Sequence, residues 1–158
     1  MEQIRPNDSE RTDFLARKVK DIIEPATSIS NKVSVKAALD ELRARASDWA
    51  PVIDQRGKLL GTVSANEMNR EVGGLGHDPK TEPVEAHIQK NSAYCLEDQT
   101  IEEAERIMLN SRVGEVPVVN SEKLLVGAIN IDAIARDKTN HSKLKSVSVG
   151  LTSAISGF

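Results

Sequence analysis

Residues 61–68 read Gly-Thr-Val-Ser-Ala-Asn-Glu-Met, placing a hydroxyl at Ser64 and a carboxylate at Glu67 where strand-favouring residues give way to helix formers. Ser64-x-x-Glu67 is the pattern of a capping box, in which the serine side chain accepts from the amide of the third helical residue and the glutamate reaches back. The same pair could form one wall of a nucleotide site, and local chemistry permits both. Other reactive side chains are sparse. Cys95 is the single cysteine, and His77, His87 and His141 have no spacing that suggests a metal site or a base. No intrachain disulfide, metal site, cofactor or catalytic group is expected, and a reducing compartment fits best.

The totals narrow the partners. With 24 acidic against 21 basic residues and a formal charge of -3, the chain has no strong electrostatic footprint for nucleic acid. Phe14, Trp49, Tyr94 and Phe158 are its only aromatic residues and are too scattered to stack successive bases. No apolar run approaches the roughly 18 residues that a membrane span requires, and the N-terminus lacks an apolar signal segment. Neither nucleic acid nor membrane is expected as a partner, and a cytoplasmic location is the default expectation.

The elements that would hold Ser64 and Glu67 occur twice. Residues 50–63, APVIDQRGKLLGTV, align without a gap on 116–129, VPVVNSEKLLVGAI, so that Pro51 falls on Pro117, Leu59 on Leu125 and Gly61 on Gly127. The register holds further back, with Val35 on Ile101, Ala38 on Ala104 and Leu42 on Met108. Each copy reads as β-α-β-β-α. In the first, 26–30 is a short strand, the segment from 33 is a helix with Val35, Ala38, Leu39 and Leu42 on one face, 51–54 and 58–63 are strands, and Ser64 opens a second helix. The second copy repeats this with strands at 92–96, 117–120 and 124–129 and helices from Thr100 and Asn130. Thr100 with Glu103 forms its own capping box. Units of about 50–55 residues bury too little apolar surface to stand alone, so the two copies must pack together. Leu15, Val19 and Ile22 are spaced for a helix ahead of the first copy. In the tail, Val147, Val149 and Leu151 alternate like a strand, while Leu151, Ile155 and Phe158 suit a helical turn.

This tandem repeat, with Pro51-Val52-Ile53-Asp54 followed by Gly57 to Met68, resembles a pair of CBS domains, the Bateman module. The resemblance covers about residues 18–137. It rests on the strand opening Pro-Val-hydrophobic-Asp/Asn, on the glycine ten residues after that proline in both copies, and on Val19-Lys20-Asp21-Ile22-Ile23, which is similar to the family's lead-in. Val84 to Ile88 is a weaker version of it. The implied fold is α+β, two β-α-β-β-α repeats packed through their sheets into a pseudo-twofold module. The implied organisation is an N-terminal extension (1–17), a first domain (18–71), a linker (72–83), a second domain (84–137) and a tail (138–158).

The resemblance also implies two related clefts that accept AMP, ADP, ATP or S-adenosylmethionine. In the family motif Gly-hydrophobic-hydrophobic-Ser/Thr-x-x-Asp, Gly61, Ser64 and Glu67 match, with Glu67 standing where Asp accepts from the ribose hydroxyls. A carboxylate can hold a vicinal diol and a helix N-terminus favours an anion. Further contacts are implied at Thr27, Ser28 and Tyr94 near the first strands, and at Ala50, Pro51, Val116 and Pro117 in the strand openings. In the second copy Asn130 takes the hydroxyl position and Ala133 the acidic one. Asp132 sits one residue early, about 100° around the helix. The basic residues that often precede the strand-opening proline are replaced by Asp48 and Trp49 in one copy and by Gly114 and Glu115 in the other, with Arg45 and Arg112 nearby. That points to a weakly bound nucleotide or to a ligand other than a triphosphate. Trp49 suits stacking on an adenine, contact with a second subunit, or packing at the core edge. The implied function is a non-enzymatic regulatory sensor, expected as a homodimer that reports to an enzyme or transporter in trans. The alternative is a ligand-free interaction scaffold with degenerate clefts.

Overall fold

The computed structural model describes residues 17–72 and 76–140. Expectations for Leu15, for most of the N-terminal extension and for the tail from His141 onward lie outside them.

Each copy is a three-stranded sheet with helices against it. In the first, the strands β1 (Ile29–Ser30), β2 (Trp49–Ile53) and β3 (Leu59–Ser64) lie in that order, with helix α1 (Val35–Ala44) between β1 and β2 and helix α2 (Ala65–Val72) after β3. In the second, β4 (Cys95–Leu96), α3 (Ile101–Ser111), β5 (Glu115–Val119) and β6 (Leu125–Asn130) follow the same order, and residues 131–140 form helix α4. β1 pairs parallel with β2, and β2 antiparallel with β3 in the register Trp49↔Ser64. The second sheet repeats both pairings, with Glu115↔Asn130.

The local causes repeat with the sequence. Ser34 caps α1 by accepting from the Ala37 amide at 3.1 Å, and Thr100 caps α3 by accepting from Glu103 at 3.1 Å. Val35, Ala38 and Leu42 face one core and Ile101, Ala104 and Met108 the other. The Asp/Asn that closes each Pro-Val-hydrophobic motif builds the hairpin turn. Asp54 Oδ1 accepts the Arg56 and Lys58 amides at 2.9 Å each, and Asn120 Oδ1 accepts Glu122 and Leu124 at 3.0 Å each. These turns meet tip to tip, because the Leu59 amide donates to Lys123 O and the Leu125 amide to Gly57 O, both at 3.0 Å.

Two expectations need correction. The first strand of each copy is two residues long rather than five, because parallel pairing begins only at Ile29↔Val52 and Cys95↔Val118. The segment through Val19 is a single 3-10 turn, Val19–Asp21, rather than a longer helix. Its amides are drawn to the opposite copy, Val19 to Gln99 O at 2.8 Å and Lys20 to Glu97 O at 3.0 Å. The later part of 72–83 is tied to the start of α1. Glu82 O accepts the Val35 amide and Pro79 O the Lys36 amide, each at 2.8 Å.

The cores are exchanged through the lead-ins. Val19 is fully buried among second-copy residues including Ala104, Met108 and Ile129, while Val84 is fully buried among Val35, Leu42 and Val63 of the first. Each copy therefore completes its core with a valine from the other's lead-in, which ties the repeats more tightly than sheet contact alone.

Candidate functional site

After each lead-in the backbone crosses the last strand of the opposite copy. The Gln89 amide donates to Thr62 O at 2.8 Å and the Glu24 amide to Ala128 O at 2.9 Å, with reciprocal bonds from Thr62 and Ala128. These crossings explain the motif glycines. A Cβ at Gly61 would lie 2.3 Å from Gln89 O, and one at Gly127 would lie 2.7 Å from Glu24 O. Only a residue without Cβ lets the lead-in approach so closely.

Beside the Gln89 crossing is a cavity of about 520 Å³ between the copies. The first copy contributes Trp49 and the end of β3 through Ser64; the second contributes Gln89, the 91–93 loop and the start of β5 from Gly114 to Pro117. Trp49 and Glu115 hold equivalent positions, each opening the middle strand of its copy. They meet directly, the indole Nε1–H donating to Glu115 Oε2 at 3.3 Å. Such a cleft, apolar on its strand faces and polar at the rim, has the form of a small-molecule site.

Of the residues expected to contact ligand, Ser64, Val116 and Pro117 line this cavity. Glu67 stands behind it. The Ser64 hydroxyl oxygen accepts from the Glu67 amide at 3.1 Å, so half of the capping box forms, but the Glu67 carboxylate is held by the Gln89 side-chain amide instead of reaching back. Gln89, itself a lining residue, is thus the link between Glu67 and the cleft. Tyr94 does not line the cavity. It is 40% exposed, with Lys123 Nζ 5.5 Å from its ring centroid, because the inward position on that strand belongs to buried Cys95. Thr27, Ser28, Ala50, Pro51 and Asn130 do not line the cavity either. Asn130 Nδ2 donates to Glu24 Oε2 at 3.2 Å and Arg136 donates to Glu24 Oε1 at 3.4 Å, so a carboxylate from the lead-in lies beside Asn130 and α4.

Sequence reasoning missed Gln89, Asn91, Ser92, Ala93, Ser111 and Val113. A signal existed for Gln89. The lead-ins match at a spacing one shorter than the rest of the repeat, Val19 on Val84 and Glu24 on Gln89 against Val35 on Ile101, so the second copy has one extra residue just where the loop lines the cavity.

His87, Glu82 and Cys95 are titratable groups shifted by their surroundings. The His87 imidazole, with 4% of its side chain exposed, contacts Glu71 through Nδ1 and lies 3.1 Å from Glu82 Oε2 through Nε2, the latter pair not aligned as a hydrogen bond. Burial pulls the pKa of His87 down, but the two carboxylates outweigh it and the net shift is upward. Glu82 is held below the usual carboxylate range by hydrogen bonding to His77, opposed by burial and aided by His87. Burial pushes the Cys95 thiol up to about 11, which leaves it protonated and unreactive. Among the described residues, no group of three His, Cys, Asp or Glu side chains is placed to hold a metal ion, and no helix is long and apolar enough to cross a membrane.

The CBS domain profile matches residues 19–74 and 84–138, more than half of the chain. The chain belongs to the CBS domain family. It is 32% identical over 132 residues to the A-adding tRNA nucleotidyltransferase of Aquifex aeolicus (strain VF5), covering 83% of this chain and 16% of that protein. The CBS pair therefore spans a small part of that relative's length, and the relative's activity is not carried over. Among solved structures, CBSX2 in complex with AMP superimposes with a TM-score of 0.68 at 22% identity, covering 80% of this chain and 98% of that one. The CBS domain pair of protein MJ0100 in complex with 5′-methylthioadenosine and S-adenosyl-L-methionine does so with a TM-score of 0.64 at 21% identity, covering 80% and 98%. At these identities the likeness shows a shared fold.

Proposed function

We propose that this CBS pair is a non-enzymatic regulatory module that binds an adenosine-type ligand, from the class of AMP, ADP, ATP and S-adenosylmethionine, in the cleft between its two domains. The observation that carries the reading is the cavity itself, which brings Ser64 of one copy against Val116 and Pro117 of the other, with the Glu67 carboxylate one side chain behind. The CBSX2 complex with AMP and the MJ0100 complex with S-adenosylmethionine support it by fold. In this reading the ribose diol displaces the Gln89 amide from Glu67. Because Gln89 belongs to the lead-in segment that crosses β3, its displacement repositions one domain on the other. A ligand shifts such an equilibrium only through differential affinity for the two arrangements. The signal passes to an enzyme or transporter in trans, and the module works as a homodimer in the cytoplasm.

Calorimetry with these ligands on the wild type and on Glu67→Ala tests the reading. The substitution keeps the helix cap, since Ser64 uses the backbone amide of residue 67. Binding to the wild type that is lost in Glu67→Ala with the circular dichroism unchanged is the expected result. The second reading, a ligand-free association scaffold, is favoured by the occupied Glu67 carboxylate and by the exposed Leu96, Leu109, Val113 and Val126. No binding at millimolar ligand, with a dimer in solution, would establish it.

A further inference from the structure

The charge around the cleft narrows the ligand further, given that it is an adenosine site. Among the described residues that line the cavity there is no lysine or arginine; the one charged lining side chain is Glu115. Glu67 adds a second carboxylate immediately behind Gln89. The cations adjacent in sequence to the lining, Lys90 and Arg112, are exposed and outside it, and Arg45 is engaged by Glu41 at 3.2 Å.

The other ordinary source of phosphate affinity is also weakened. The start of α2 borders the cavity at Ser64, and a helix start attracts anions through its free amide donors. Here the Ala65 amide donates to Asp48 O at 2.8 Å and the Glu67 amide to Ser64 Oγ at 3.1 Å. Two of the first donors are therefore taken within the protein. A phosphate in this cleft would meet a carboxylate, no lining cation among the described residues and a helix start with few open donors. A positively charged group would instead meet the Glu115 carboxylate at the indole edge of Trp49, where a cation is favoured over an anion.

We propose that the cleft selects adenosine derivatives that carry no phosphate, and among them favours those with a positive charge beyond the ribose, such as a sulfonium or amine.

Calorimetry at low and moderate salt with adenosine, 5′-methylthioadenosine, S-adenosylmethionine, AMP and ATP, on the wild type and on Glu115→Gln, tests this. A charged hydrogen bond lost or a like charge met corresponds to about tenfold or more in affinity. S-adenosylmethionine and 5′-methylthioadenosine should bind at least about tenfold more tightly than AMP, with ATP weakest. Glu115→Gln, which keeps an acceptor for the Trp49 indole, should narrow the gap between S-adenosylmethionine and AMP. AMP or ATP binding as tightly as the phosphate-free compounds, or a gap unmoved by Glu115→Gln, would overturn the inference while leaving the adenosine site in place. No binding by any of the five compounds would overturn the adenosine site itself.

Discussion

Replacing His87 by Gln should lower thermal stability at pH 6 more than at pH 8. The imidazole is buried where the second lead-in meets the first domain, with Glu71 at one nitrogen and Glu82 at the other, and His77 sits 2.7 Å from the second oxygen of Glu82. Its folded pKa is raised above the ordinary value, so the stability it contributes is fully present below about pH 6.5 and is lost as pH rises through the folded pKa. Glu82 is shifted the opposite way, so its contribution holds above its unfolded value and fades only as pH falls below the usual carboxylate range. The clasp is therefore strongest between those limits. A charged hydrogen bond contributes about 1.5–3 kcal/mol. Glu71 is half exposed and screened, and the Glu82 contact is not aligned as a hydrogen bond, so the lower end, about 1.5 kcal/mol, is the better total. For a domain pair of this size that corresponds to roughly 3–6 °C in Tm. Melts of the wild type and His87→Gln at pH 6 and pH 8, at fixed ionic strength, read this directly. The wild type should lose stability between the two pH values and His87→Gln should lose much less of it. Parallel slopes for the two proteins would refute the assignment. Since Gln89 lies two residues further on, ligand affinity in the cleft should weaken over the same pH rise.

Other outcomes follow from the crossings and the cores. Gly61→Ala puts a methyl group 2.3 Å from the backbone oxygen of Gln89 at a φ of +150, so it should destabilise by at least about 2–3 kcal/mol in urea melts and abolish cleft binding. Leu42→Ala and Met108→Ala, equivalent positions in the two cores, should each cost about 2–5 kcal/mol by the same assay. Cys95 should resist a thiol reagent at pH 8 in the native state and react fully once unfolded, given a thiol pushed up to about 11 by burial.

Much of the fold was legible because its causes are local and repeated. The apolar spacing of Val35, Ala38 and Leu42 marks a core-facing helix stripe, and Asp54 and Asn120 mark turns through their own side chains. What was not legible depends on distant partners. Nothing near Val19 says that its burial lies in the second copy, and the periodicity through Ile22 looks helical until Gln99 and Glu97 claim its backbone amides. At the cleft, Ser64 could be read as a cap from its neighbours, whereas the fate of the Glu67 carboxylate is decided by Gln89, which the chain brings in from the other domain. The short β1 and β4 have the same origin. Their preceding residues look strand-like, but the partner strand offers pairing only from Val52 and Val118 onward.

The central claim is that an adenosine-type ligand occupies the cleft between the two domains. Trp49 is the only tryptophan, lines that cleft and donates its indole N–H to Glu115, so its side chain gives a single unambiguous NMR resonance inside the site. Titrating 15N-labelled protein with S-adenosylmethionine should move the indole signal in a saturable manner, together with the amides of Ser64, Gln89 and Val116, while those of the outer face of α1 stay fixed. An indole resonance that does not move at saturating S-adenosylmethionine, adenosine or AMP would contradict it.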